Sequence, residues 1–173
     1  LDPQYPTSRL GRMLSDSTAE IVVTRSSLLP RCGCDTLRVI CLDSEQEAVA
    51  RMAATPPNLP CSLRQLAYVI YTSGSTGEPN GVLLEHQGLF NLIRWHQEFY
   101  HVTADDRASQ VAGPGFDASV WELWPYLTAG ASVHIVDPEK RLDPRRLLTW
   151  MGEQGVTLAF LPTPLAEDVL AGP

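Results

Sequence analysis

The chain has 173 residues, 44% of them hydrophobic and 19% charged, and a formal net charge of −7 at pH 7. That length allows one domain with a sizeable core, and that composition is globular rather than disordered. The acidic balance argues against general binding to nucleic acid or anionic membranes, but not against a small anion held by backbone amides, which need no net charge.

The opening LDPQYPTSRL has no signal-peptide character and begins in a turn-like Asp-Pro-x-Tyr-Pro segment with no approach strand. The closing AEDVLAGP stops within a helical pattern. Both ends fit a piece of something larger. Residues 8–16 place Leu10, Met13 and Leu14 at helical spacing, with Ser8 as N-cap. Residues 20–24 (EIVVT) and 37–42 (LRVICL) read as strands, and 44–53 as a helix capped by Ser44. Cys32, Cys34, Cys41 and Cys61 lie in the same region. A C-x-C pair followed by scattered single cysteines matches no usual zinc spacing, so reduced cysteines in a cytoplasmic protein are the expectation. TPPNLP (55–60) is a connector, because prolines interrupt helix and ladder alike.

LAYVIYT (66–72) is the strongest strand pattern, apolar enough to be buried on both faces. A loop of Gly, Ser and Thr follows, then VLLEH (82–86). Residues 87–100 place Leu89, Leu92, Ile93, His96 and Phe99 on one helical face. A short strand at 108–111 leads into GPGFD, and Ser119–Leu127 reads as a helix started by Asp117 or Ser119. Residues 131–137 form a strand, and 143–154 a helix with Asp143 as cap and Pro144 at its first position. Residues 156–162 read as a closing strand. Alternating helices and apolar strands with short connections predict an α/β layered fold with a largely parallel sheet. In such folds ligands sit beyond the carboxyl ends of strands, where the loops at 73–81 and 113–117 both fall.

Thr72-Ser73-Gly74-Ser75-Thr76-Gly77 has the parts of an anion cradle: a strand before it, glycines that permit converging N–H groups, and hydroxyl donors. It is neither a Walker loop, having no lysine after the last glycine, nor a G-x-G-x-x-G motif. From its residues alone it fits a surface turn as well as a phosphate site. Asp117 likewise fits a helix N-cap as well as a ligand group.

LAYVIYTSGSTGEPNGV resembles the signature of the adenylate-forming superfamily, whose usual form ends Thr-Gly-x-Pro-Lys-Gly-Val. LDPQYPTSRL, LLEHQGLFNLI and FDASVWELW resemble, in the right order, flanking segments of nonribosomal peptide synthetase adenylation domains. The resemblance implies part of the large N-terminal subdomain of such an enzyme. Residues 1–173 would be roughly its middle third, without the C-terminal subdomain and its lysine. It implies ATP and Mg2+ as cofactors, an amino acid as substrate, and a phosphopantetheine thiol on a partner carrier domain as acyl acceptor, beside condensation domains. By position, Thr72, Ser73, Gly74, Ser75, Thr76, Gly77 and Asn80 would face the phosphates, with Thr72 a candidate contact to the metal. Asn80 stands where the family pattern has lysine, and a lost charged contact is worth about 1.5–3 kcal/mol. Asp117 would pair with the substrate ammonium, which argues against fatty-acyl, acetyl or aryl substrates. Ala118, Trp121 and Phe160 would line an apolar side-chain pocket suited to leucine or another apolar amino acid. No catalytic residue is expected within these residues, and the isolated chain is expected to be inactive.

Trp121 and Phe160 also fit ordinary core packing. His86 fits a polar strand end or a place near the acyl-adenylate, and His96 fits the core; His101 and His134 carry no signal. The rival readings are a degenerate, non-catalytic scaffold, which Asn80 favours, and another ligase of the acyl-CoA synthetase type.

Overall fold

The computed structural model describes residues 1–33, 37–73 and 79–171. It divides into two compact units, Leu1–Glu85 and His86–Pro173.

The first unit opens with α1 (Thr7–Asp16), which buries Leu10, Met13 and Leu14 at the expected spacing. Its N-cap is Pro6 rather than Ser8, and no side chain caps it. The strands β1 (Ile21–Thr24) and β2 (Arg38–Cys41) pair in parallel. Between them lie a 3-10 turn (Ser26–Leu28) and α2 (Leu29–Cys32), closed by Gly33 in the left-handed conformation that glycine adopts without penalty. Leu14 and Cys32 form the centre of this core, with Val22, Leu29 and Val39 packed on it. The helix expected from Ser44 shrinks to α3 (Gln46–Ala50) with Glu45 at its cap. The Glu45 carboxylate reaches back to accept the Cys41 N–H at 2.9 Å.

The long apolar strand is β3 (Leu66–Ser73), and it pairs antiparallel with β4 (Pro79–Glu85). The expectation that it is buried on both faces is not met. Tyr71 is buried, but residues 67–70 are half-buried and Leu66 is 53% exposed. Apolar character records how a strand is covered, and among the described residues no third strand joins this two-stranded sheet.

In the second unit α4 (His86–Tyr100) packs on α5 (Ala118–Ala129). The strands β5 (Arg107–Gln110) and β6 (Ser132–Ile135) pair in parallel, with α5 as the crossover between them. A short α6 (Pro138–Arg141) precedes α7 (Pro144–Glu153). Asp143 caps α7 as expected, accepting the Arg145 and Arg146 N–H groups at 3.0 and 3.2 Å. The chain continues into α8 (Thr163–Ala171). Val111, Val136, Leu147 and Trp150 form one core cluster, and Ala108, Tyr126 and Ala131 another.

The strand expected at 156–162 is reduced to one parallel bridge, Ala108 to Leu158. Side chains take the donors on either side of it: past Leu158 the next N–H of the ladder, that of Val111, goes to Glu122 at 2.9 Å, and before it stands Thr157. Its hydroxyl accepts the Arg107 N–H at 3.0 Å and donates to Asp106 at 2.8 Å, so a side chain takes a donor that a longer ladder would use. The fold class is nonetheless α/β, with two parallel pairs and one antiparallel hairpin among the described residues.

Candidate functional site

In the first unit, the end of the β3–β4 hairpin sets Thr72 directly opposite Asn80, and Ser73 opposite Pro79. Both Thr72 and Asn80 are exposed. Among the described residues the Thr72 hydroxyl donates one long bond, to the Asn80 carbonyl at 3.5 Å, and its lone pairs accept none. Gly74, Ser75, Thr76 and Gly77 lie outside the described residues.

One residue earlier, Tyr71 anchors this hairpin, a role that sequence reasoning missed. Its hydroxyl lies 2.8 Å from Asp16 Oδ2 and 3.1 Å from the Met13 carbonyl, both on α1. Burial, reinforced by the bond to the Asp16 carboxylate, pushes the phenol up to about 12. Opposite Tyr71 stands Gly81. A Cβ there would meet Tyr71 Cζ and Val69 Cγ1 at 3.2 Å each, so any larger residue would have to push the Tyr71 ring or Val69 aside by a few tenths of an ångström.

In the second unit, Asp117 is the N-cap of α5, and its Oδ1 accepts the Ala118 N–H at 2.8 Å. The carboxylate is exposed. Ala118 and Trp121 are three residues apart on α5 and therefore neighbours on one face, both half-buried. Trp121 meets Phe160 with ring centroids 6.2 Å apart, so the structure brings these two expected wall residues together. Behind Trp121 is an aromatic cluster. Trp95 and His96 approach its ring edge-on at 5.2 and 4.9 Å.

His96 is 2% exposed and lies 3.0 Å from the Tyr126 hydroxyl through Nε2, while Nδ1 has no partner among the described residues. Burial lowers its pKa, which keeps the ring neutral and marks a core residue, as expected. The same burial, with the Glu122 charge nearby, pushes Tyr126 up to about 12. His86 is half-buried at the start of α4. His101 is exposed with φ 54°, and His134 contacts Ser132 and Gln154.

The second residue that sequence reasoning passed over is Glu122. It is 1% exposed, and its two oxygens accept the N–H groups of Val111 and Ala112 at 2.9 and 2.8 Å. Burial raises its pKa, opposed by those two N–H groups and by the charge of Arg141. The readable signal was a lone carboxylate inside the apolar run WELWPYL, since a buried charge needs partners.

Among the described residues, no group of three or more His, Cys, Asp or Glu side chains is arranged to hold a metal ion. Cys32 and Cys41 are buried and Cys61 is exposed. No helix among the described residues is long and apolar enough to cross a membrane. The donor set at the hairpin end is hydroxyl and amide oxygen, which suits a hard cation such as magnesium bridged to phosphates.

The model of the family "AMP-binding enzyme" matches residues 1–173. One component of the linear gramicidin synthase of Brevibacillus parabrevis is 50% identical over 171 residues, which is 99% of this chain and 2% of that protein. Surfactin synthase subunit 2 of Bacillus subtilis is 40% identical over 180 residues, 98% of this chain and 5% of that protein. The chain thus spans a few hundredths of the length of these relatives. A crystal structure of a nonribosomal peptide synthetase in its α-methyl-L-serine-AMP-bound form superposes with a TM-score of 0.82 at 32% identity, over 99% of this chain and 19% of that one.

Proposed function

The chain belongs to the AMP-binding enzyme family, and from that premise we propose that it is part of an amino-acid adenylation domain of a nonribosomal peptide synthetase. The observation that carries this reading is in the second unit. An acid at the start of α5 is followed, on the same helix, by Ala118 and by a Trp121 ring packed on Phe160. A carboxylate beside an apolar aromatic wall suits an α-ammonium group attached to an apolar side chain. The bound ligand of the solved nonribosomal peptide synthetase is α-methyl-L-serine-AMP, which supports an amino acid as the substrate without fixing its side chain.

In the proposed reaction a carboxylate oxygen of the amino acid attacks the α-phosphorus of ATP. The new P–O bond forms as the bond to the bridging oxygen breaks, and pyrophosphate leaves. Asp117 holds the ammonium group and so orients the carboxylate. Trp121 and Phe160 exclude water from the side chain. The Thr72 hydroxyl, with the hydroxyl- and glycine-rich residues 73–77, binds the departing phosphates. Magnesium would supply neutralising charge when bound with the triphosphate, and Thr72 would be a side chain to hold it. Transfer of the acyl group to a carrier domain's phosphopantetheine, in the cytoplasm and beside condensation domains, completes the proposed role.

Asp117→Asn in the synthetase that carries this chain tests the reading by amino-acid-dependent ATP–pyrophosphate exchange. The KM for the amino acid rises roughly thirtyfold or more, the scale of losing one member of a desolvated charge pair. An unchanged KM sinks the assignment. In a substrate panel leucine or another apolar amino acid is preferred; preference for a charged or small polar one sinks the pocket. The second reading, a non-catalytic scaffold, draws on Asn80 and predicts no exchange with any amino acid.

A further inference from the structure

We propose that Glu122 is a positioning residue for amino-acid binding: it fixes the segment that presents Asp117 and touches no reactant itself. The inference rests on the reading of Asp117 given above.

The geometry begins where β5 ends. Gln110 is the last paired residue of β5, its carbonyl accepting the Val136 N–H at 3.2 Å. The next two N–H groups, of Val111 and Ala112, have left the ladder in the interior. Backbone donors there require an acceptor, and Glu122 supplies one oxygen to each. Both oxygens are thereby bonded to the chain itself, and at 1% exposure the carboxylate has no open face for a ligand. Arg141 closes the arrangement from α6, its guanidinium donating to the Val111 carbonyl at 3.3 Å.

Glu122 therefore ties both ends of one short segment. The start of the segment, 111–112, is bonded to its carboxylate. The end, Asp117, is five residues before it, at the cap of the same helix. Inside the closed ring, Phe116 N–H donates to the Gly113 carbonyl at 3.0 Å, and the Ser119 hydroxyl donates to the Phe116 carbonyl at 2.7 Å. A tether of this kind removes the freedom the loop would otherwise have. It sets the direction from which the Asp117 carboxylate meets its cation, relative to Trp121 next to Glu122 on the helix.

Glu122→Gln keeps the shape of the side chain but replaces one acceptor with a donor facing an N–H. In the whole synthetase, the KM for the amino acid rises about tenfold or more, the scale of a lost hydrogen bond to a charged group. The KM for ATP is unchanged, and kcat falls less than the amino-acid KM rises. Val133→Ala, a truncation against the Ala108, Tyr126 and Ala131 cluster, which holds no residue of the segment, lowers melting temperature and leaves both KM values as they were. Equal shifts in both KM values, or no shift in the amino-acid KM, overturn the proposal. Asp117→Asn is run alongside. If it raises the amino-acid KM and Glu122→Gln does not, only this inference fails; if neither does, the assignment of Asp117 fails. Should Glu122→Gln yield no folded protein, amide exchange on the unaltered synthetase decides. Val111 and Ala112 amides as slow as that of Ser109 support the clamp, and amides as fast as an open loop overturn it.

Discussion

At the end of the β3–β4 hairpin, Thr72 and Asn80 stand exposed, and what holds them is the strand ladder with Tyr71 fastened to α1. At the start of α5 the arrangement is reversed. Asp117 is exposed too, but the segment before it is fastened by a fully buried carboxylate. One candidate site is thus held by backbone pairing, the other by side chains in the interior. Changes at the tip of the hairpin should therefore alter ligand binding and leave the fold alone. Changes at its base, or at Glu122, should be felt structurally.

Gly81→Ala is the strongest way to break this contrast. The added methyl meets Tyr71 and Val69 at 3.2 Å. The tyrosine ring cannot swing away without giving up Asp16 and Met13. Overpacking of this kind costs about 1–3 kcal/mol. A thermal melt should show that loss in the first unit. An alanine variant as stable as the parent means that the hairpin is not held by the Tyr71 ring.

Tyr71→Phe is the milder cut at the same joint. It removes a hydroxyl bonded to the exposed Asp16, which water can re-solvate, so the cost is about 1 kcal/mol at neutral pH. The sign of its pH dependence follows from the phenol. Folded, the proton is held up to about 12, against 10.0 ordinarily. The stabilisation is therefore fully present below pH 10 and is lost as pH rises from 10 through 12. Melts across that range should show the gap between parent and Tyr71→Phe closing. A gap independent of pH would mean that the phenol is not the anchor. Tyr126, also raised to about 12, destabilises both proteins equally there and cancels.

The two regions also differ in what the sequence disclosed. Local signals were readable: the Asp143-Pro144 helix start, the Asp117 cap, and the parallel strands on either side of α5. The 66–72 strand was readable as a strand, but its antiparallel partner was not. An apolar run reports burial, whereas pairing depends on a turn and on the residues beyond it. The strand at 156–162 was lost to side chains that take the ladder's donors: Thr157 takes the Arg107 N–H, fifty residues away in sequence, and Glu122 that of Val111. Tyr71 and Glu122 were passed over for the same reason. Tyr71 acts on residues more than fifty positions earlier. Glu122 sits within a recognised motif, but the partners of its carboxylate are main-chain groups, which carry no residue-type signature. The family resemblance pointed to ligand groups and not to what holds them.

Asn80→Lys is the smallest change in stability and the sharpest test of the hairpin tip. Asn80 is exposed at the last rung but one of β4, so the longer side chain has solvent to enter, and stability should change by no more than about 0.5 kcal/mol. Binding is another matter. A lysine here adds a cation opposite Thr72, and one charged hydrogen bond to a phosphate is worth about 1.5–3 kcal/mol before solvent screening. The KM for ATP should fall by up to about tenfold at low ionic strength, and the gain should fade as salt is added. A salt-independent gain would mean that the lysine acts through packing. No gain at all would mean that this rung does not face phosphate, and the tip would lose its assignment. If the unaltered synthetase shows no exchange and Asn80→Lys restores it, asparagine was the lesion that turned a working loop into a scaffold. If exchange is already present and merely strengthens, the hydroxyls and amides of the loop carry the phosphates without a cation, as a site built on backbone can.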